Sequence, residues 1–363
     1  MVVIKKSDFM KTKRKLVRKL DSHKGQNGRV LVVGGSKEFV GAVGLAGIAA
    51  LRTGSDLVSI AAPSNVSWAL NKFSLDLITH KFKGDYLNVS HTKKILTLIQ
   101  NCDVVLIGPG LGLRSGKSVG KTLVKNLLKN KSCLGVIDAD AIKLVKLDLI
   151  CDCVITPHRT EFEILLKNSG KTVLLEEIKD RKNSLKLAKL IQVRLRDFFG
   201  LGNVILLKGQ IDLIISKNQI LVNKGGNPGM TVGGSGDILA GICAGFISQT
   251  EDLFMSAGLA SYECKKIGDL LFKKTGYGLG FVASDFINEI KQLKLRSVKS
   301  KKIQAKSYIK SNLVKSKLVK SKLVKSKLVK SKLVKSKLIK PKSVKSKLVK
   351  PKLVKSTKRR VKK

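Results

Sequence analysis

The chain has 363 residues, a formal net charge of +47, 43% hydrophobic residues and six cysteines. Its length and apolar share suffice for one large domain or two smaller ones with a substantial core. No run of ~18 apolar residues occurs, so no membrane-crossing helix is expected, and no apolar segment follows the basic stretch 11–19 to make a signal peptide.

The charge is unevenly placed. Residues 291–363 hold 30 Lys or Arg and no acid, leaving 42 basic and 25 acidic residues ahead of them. The chain thus reads as a mildly basic body followed by a polycationic tail, with boundaries at 1–19 (basic extension), 20–293 (enzyme-like domain) and 294–363 (Lys-rich tail). The cysteines, at 102, 133, 151, 153, 243 and 264, form no CxxC pair and no zinc-spaced His/Cys cluster. Reduced thiols and a cytoplasmic location are expected.

In chain order, Arg29–Val33 reads as a short buried strand ending at Gly34-Gly35-Ser36, and Gly41–Arg52 as a Gly- and Ala-rich helix. Asp56–Ala61, Asp103–Ile107, Leu134–Ile137, Cys153–Ile155 and Asn203–Leu207 follow as strands, with helical periodicity in Ser118–Leu128 and Ser184–Phe199 between them. Short apolar strands alternating with helices predict a mainly parallel sheet covered on both faces, a three-layer α/β/α fold. After residue 210 the pattern changes to a strand pair, 211–216 and 219–222, then a Gly-rich loop, 225–236, and helices over 237–249, 252–273 and 281–293.

The tail repeats Leu-Val-Lys-Ser-Lys from Leu313 onward. Five residues turn a helix through about 500°, so successive Leu-Val pairs land about 140° apart, and an odd period changes face at each repeat of a strand. No apolar stripe forms either way, and with its self-repulsion the segment is expected to be disordered. A dense Lys array binds nucleic acid or another anionic surface through counterion release, or else is a solvated extension without a partner.

The residues suited to chemistry collect just past the carboxyl ends of strands, where open α/β sheets bind ligands. Asn227–Asp237 runs through Gly233-Gly234-Ser235-Gly236 into an apolar helix. Small residues there admit an anion to backbone N–H groups at a helix start. Asp237 at that junction is either a base on a substrate hydroxyl or a helix cap. His158, one of four histidines, follows the strand at Thr156-Pro157 and is either a structural hydrogen-bonder or a ligand contact. Glu161, three residues on, belongs to the first helical turn or to a Mg²⁺ water network. Lys208 ends a strand and either reaches a nucleotide phosphate or is solvated. Gly108–Gly112 lacks GxGxxG spacing, and no GxxxxGK[ST] loop exists, which disfavours a Rossmann dehydrogenase and a P-loop kinase.

Taken together these segments resemble the NAD(P)H-hydrate dehydratases. The matching blocks are His23-Lys24-Gly25 with Gly28, Val32–Ser36, Gly41-Ala42 with Leu45-Ala46, Ala49–Arg52 with Gly54, Ile107–Gly112, Ile137–Ala141, Thr156-Pro157-His158 with Glu161, Leu207-Lys208-Gly209 and Gly226–Gly241. They keep the family's order over roughly residues 20–290. The resemblance implies a ribokinase-like fold and a metabolite-repair reaction, in which the hydroxyl of hydrated NADH or NADPH is phosphorylated from a nucleotide and phosphate is then eliminated.

By the same resemblance Asp237 is the base, and Gly236 with its neighbouring amides holds the phosphoryl group. Lys208, Gly209, Gln210, Ile211 and Asp212 contact the nucleotide. Ala42, Gly110, Gly112, His158 and Asp237 line the hydrated-cofactor site. Mg²⁺ and ADP, or less favourably ATP, are the implied cofactors, and a homo-oligomer is expected. The epimerase domain that often precedes this unit is expected to be absent. Arg159-Thr160 and Val43 depart from the family's usual small residues. The alternatives are a ribokinase-like small-metabolite kinase of hydroxyethylthiazole type, or a nucleic-acid-tethered protein acting through its tail.

Overall fold

The computed structural model describes residues 15–290, apart from 114–116, 180, 183 and 277, and with them Val2, Val3, Phe9 and Thr12. The predicted tail, 294–363, lies outside the described residues, as do the last residues of the helix expected over 281–293.

Ten strands form one sheet. They are β1 (Val2–Val3), β2 (Arg29–Val33), β3 (Leu57–Pro63), β4 (Ile78–Phe82), β5 (Val104–Ile107), β6 (Leu134–Ile137), β7 (Cys153–Ile155), β8 (Val204–Leu207), β9 (Ile211–Ile215) and β10 (Gln219–Lys224). Their order is β1-β10-β9-β8-β7-β6-β5-β2-β3-β4. Every neighbouring pair is parallel except those that β9 makes with β8 and β10. The expected mainly parallel sheet is therefore present, and its antiparallel part is the strand pair expected after residue 210.

Strand side chains alternate between faces, and the two cores divide accordingly. Val30, Val32, Val104, Leu106 and Val136 pack on one face. Leu31, Val33, Val105, Ile107 and Ile137 pack on the other. The first face is covered by helices Val40–Thr53, Ser235–Thr250, Leu253–Lys274 and Ala283–Ile290. The second is covered chiefly by Thr92–Ile99, Lys117–Asn130, Arg159–Asn168 and Leu185–Arg194.

Small residues allow one helix pair to pack backbone to backbone. A Cβ on Gly241 would stand 2.2 Å from the Ala46 carbonyl oxygen. The contact seats helix Ser235–Thr250 on helix Val40–Thr53 and so fixes where the former begins.

Several elements differ from expectation. The helix expected over 184–199 is two helices, Leu185–Arg194 and Arg196–Gly200, because Leu195 leaves helical geometry at φ −112°, ψ 32°. Strand β4 and helices Ser64–Phe73 and Thr92–Ile99 are additional to the predicted set. Among the described residues, no helix is long and apolar enough to cross a membrane.

Candidate active site

The carboxyl ends of β6, β7 and β8 lie side by side, and each delivers part of one charged cluster. Past β6 the chain turns through Asp138-Ala139-Asp140, with Ala139 at φ 50°, ψ −124°. An alanine is strained in that conformation. Past β7 comes Thr156-Pro157-His158, and past β8 Lys208.

Lys208 Nζ is 3.1 Å from Asp138 Oδ1 and 3.8 Å from Glu161 Oε2. Thr156 Oγ1 donates to the same Asp138 oxygen at 2.6 Å, and the Lys208 amide donates to the Pro157 carbonyl at 2.8 Å. Burial alone would lower the Lys208 pKa, but Asp138, Glu161 and Asp237 together raise it above its ordinary value. The lysine is therefore a held cation rather than a solvated strand end.

Helix Ser235–Thr250 starts beside it. Its N-cap is Gly234, at φ 92°, with no side-chain cap. The Ser235 amide donates to the Val232 carbonyl at 3.3 Å, and the Ile238 amide to Gly234 at 3.1 Å. The amides between them, of Gly236 and Asp237, have no acceptor among the described residues. Nothing added as a Cβ at Gly233 would meet any atom within 4 Å, so the loop is open where these donors lie. This is the arrangement that favours an anion at a helix start.

Asp237 lies in the first turn but caps nothing. The cap position is Gly234, and among the described residues no group donates a hydrogen bond to the Asp237 carboxyl. Burial, together with the nearby Asp138, Asp140 and Glu161, pushes its pKa up to about 7 against the opposing pull of Lys208. A carboxyl so tuned can take and give a proton near neutral pH.

His158 does have the structural role. Its Nδ1 accepts from the Glu161 amide at 3.3 Å while Glu161 Oε2 accepts from the His158 amide at 2.9 Å, a reciprocal cap of helix Arg159–Asn168. Its side chain is still 52% exposed and lines a cavity beside the cluster.

That cavity has a volume of about 680 Å³. Of the predicted residues, His158, Lys208, Gly209, Gln210, Asp212, Ser235 and Gly236 line it. Ile211 does not, since its side chain packs into the core on the far face of the sheet. The cavity wall at Lys208–Asp212 rests on residues that the sequence reading passed over. Lys265 Nζ donates to the carbonyls of Gln210 at 2.8 Å, Gly209 at 3.3 Å and Asn223 at 3.4 Å, and lies 3.4 Å from Asp212 Oδ1. Asp212 also accepts from the Gly209 amide at 3.0 Å and from Ser261 Oγ at 2.7 Å. Burial raises the Asp212 pKa, and Lys265 and these donors only partly offset it. Gly226 and Asn227, which also line the cavity, are tied to Asp269 by bonds of 3.3 Å and 3.1 Å.

Ala42, Gly110 and Gly112 do not line this cavity but belong to one neighbouring group. A Cβ on Gly110 would be 2.9 Å from that of Ala42. The Gly112 amide donates to Asp140 Oδ2 at 3.0 Å, and Asp140 is among the carboxylates that raise the Asp237 pKa. Asp237, Glu161, Gly233 and Gly234 do not line the cavity either, and Asp140 is the link between the Gly112 turn and Asp237. Asp138, Asp140 and Lys265 were the missing members. Asp138-Ala139-Asp140 at a strand end was a usable signal for the first two, whereas a lone lysine within a long helix gave none for the third.

A mostly parallel sheet with a Gly-rich helix start and a lysine–carboxylate cluster at its strand ends is a ribokinase-like architecture. The chain superposes on a ribokinase-like superfamily protein from Enterococcus faecalis with a TM-score of 0.62 at 27% identity, covering 77% of this chain and 93% of that one. The NAD(P)H-hydrate dehydratase family model matches residues 30–292, and the chain belongs to that family. A bifunctional NAD(P)H-hydrate repair enzyme of Methanothermobacter thermautotrophicus is 36% identical over 278 residues, which cover 75% of this chain and 51% of that protein. The chain therefore spans about half the length of such curated relatives. The same fold occurs in an ADP/ATP-dependent NAD(P)H-hydrate dehydratase from Bacillus subtilis crystallised with ATP/Mg²⁺, with a TM-score of 0.58 at 22% identity, covering 77% of this chain and 96% of that one.

Proposed function

We propose that this chain restores hydrated NADH and NADPH by nucleotide-dependent dehydration, with residues 20–293 as the working unit. The observation that carries the reading is Asp237, an uncapped, proton-tuned carboxyl beside two free amides and a held lysine. In this reading the nucleotide lies in the cavity along Lys208–Asp212, and the hydrated ring lies near Ala42, Gly110, Gly112 and His158.

Asp237 takes the proton of the ring hydroxyl as its oxygen attacks the terminal phosphoryl group of the nucleotide. The Gly236 and Asp237 amides and Lys208 stabilise the charge on the transferring group. The hydroxyl becomes a phosphate ester, a far better leaving group. Loss of inorganic phosphate and of a proton from the adjacent ring carbon regenerates the reduced cofactor.

Hard carboxylate oxygens at Asp138 and Glu161 suit Mg²⁺, although among the described residues no three acidic, His or Cys side chains converge as a metal site. That donor set fits an ion held mainly by nucleotide phosphates and water, with Glu161 reached through water. When bound, the ion neutralises phosphate charge.

ADP is the proposed donor, with ATP second, and the protein is proposed to act as a cytoplasmic homo-oligomer. The tail, 294–363, is proposed to bind polyanions without sequence preference. If a 1–293 truncation binds DNA as tightly as the full chain, that part fails. The enzymatic reading is tested by recovery of reduced-nicotinamide absorbance from hydrated NADH with Mg²⁺ and each nucleotide in turn. A stable phosphorylated product without release of phosphate would make the protein a kinase instead.

A further inference from the structure

At the opposite, amino-terminal rim of the sheet two cysteines meet that lie 31 residues apart in the chain. Cys102 stands just ahead of β5 and Cys133 just ahead of β6, two parallel strands paired from Val104 and Leu134 onward. Their Sγ atoms are 3.7 Å apart, and both thiols are free and only half-buried. A disulfide needs about 2.05 Å between sulfurs, so bond formation requires the two sulfurs to move together.

We propose that Cys102 and Cys133 are a redox site, a thiol pair that a small-molecule disulfide converts into a bond joining the entries of β5 and β6. The site is separate from the proposed reaction and does not depend on it.

The surroundings assign the two sulfurs different roles. The two sulfurs face each other, the Cys102 thiol also reaches the Ile99 carbonyl at 3.2 Å, and the Lys131 ammonium, anchored on the Cys133 carbonyl at 2.8 Å, lies nearby. The contact with Cys102 and the Lys131 charge hold the Cys133 pKa down, while the contact with Cys133 and burial raise that of Cys102. The remaining thiols are poorer candidates. Cys153, Cys243 and Cys264 are buried and their pKa values raised, chiefly by that burial. Cys151 is exposed but faces the Asp152 carboxylate at 3.3 Å.

The Cys133 thiolate attacks one sulfur of the small disulfide, forms a mixed disulfide and expels one thiolate. Cys102 gives its proton to that thiolate and attacks the Cys133 sulfur, expelling the second half. The protein loses two electrons and two protons, and the small disulfide is reduced to two thiols.

The test exposes the full chain to oxidised glutathione, alkylates what remains free, and maps peptides without reduction. The expected result is a Cys102–Cys133 linked peptide, lighter by two hydrogens. A rise in thermal midpoint should accompany it, reversed by dithiothreitol and absent in Cys133→Ser. Both thiols still alkylated, a lasting glutathione adduct at Cys133, or a link formed elsewhere would overturn the proposal.

Discussion

Lys208 Nζ stands against the open side of Gly236, where a Cβ would come to within 3.4 Å of it. The space between a held cation and two free amides is small, and only a residue without a side chain leaves it clear. Gly236 does not adopt a positive φ, so its backbone accepts alanine. Gly236→Ala should keep or slightly raise the thermal midpoint, since alanine is the better helix former by about 1 kcal/mol. Turnover should nevertheless fall by about 10²-fold, comparable to losing a positioned donor. Melting curves and steady-state rates on one preparation check both halves.

Asp237 should set the pH dependence. Its pKa is raised to about 7, so activity that needs the carboxylate should fall as pH drops through about 7. The stability effect runs the other way. A carboxyl raised in the folded state favours folding below its unfolded pKa, and that contribution is lost as pH rises toward 7. Asp237→Asn should therefore cut turnover by about 10²–10⁴-fold while melting at a higher temperature than the parent at pH 8. A well-folded variant with near-normal turnover would remove Asp237 from the chemistry.

The strained turn offers a second conflict between stability and activity. Ala139 at φ 50° stores about 1–3 kcal/mol between the two carboxylates that it splays. Ala139→Gly should raise unfolding free energy, by less than that because glycine loosens the unfolded chain. It should also lower turnover by relaxing Asp138 and Asp140. Ala139→Val should destabilise, and urea titrations separate the two.

Beneath the cavity, Lys265 holds the carbonyls of Gly209 and Gln210 and faces Asp212. Lys265→Met would leave Asp212 buried without its cation, which costs about 3–5 kcal/mol. Lower stability is expected together with a raised nucleotide KM and little change in kcat for the fraction that folds. A fall in stability alone, with KM unmoved, would make Lys265 a scaffold residue only.

The fold was largely legible because buried parallel strands are short apolar runs ending in special residues. Leu134–Ile137 and Cys153–Ile155 match their predicted bounds. Strand β4 was not legible, since Ile-Thr-His-Lys-Phe at the sheet edge has a mostly half-exposed, mixed pattern. At the site, His158, Lys208 and the Gly233–Gly236 loop were found from the chain alone, whereas Asp138 and Asp140, although they follow a strand end, were not. Partners supplied by tertiary packing were not. Asp138 meets Lys208 across 70 residues and Lys265 meets Gln210 across 55. Asp237's freedom from capping also needed the fold, because it depends on Gly234 taking the cap position.

The most direct measurement follows recovered NADH absorbance and released inorganic phosphate together, from hydrated NADH with Mg²⁺ and ADP or ATP. The expected result is one phosphate per NADH restored, dependence on a nucleotide, and loss of both signals in Asp237→Asn. Restoration without nucleotide, or phosphate release with no NADH recovered from folded protein, would contradict it.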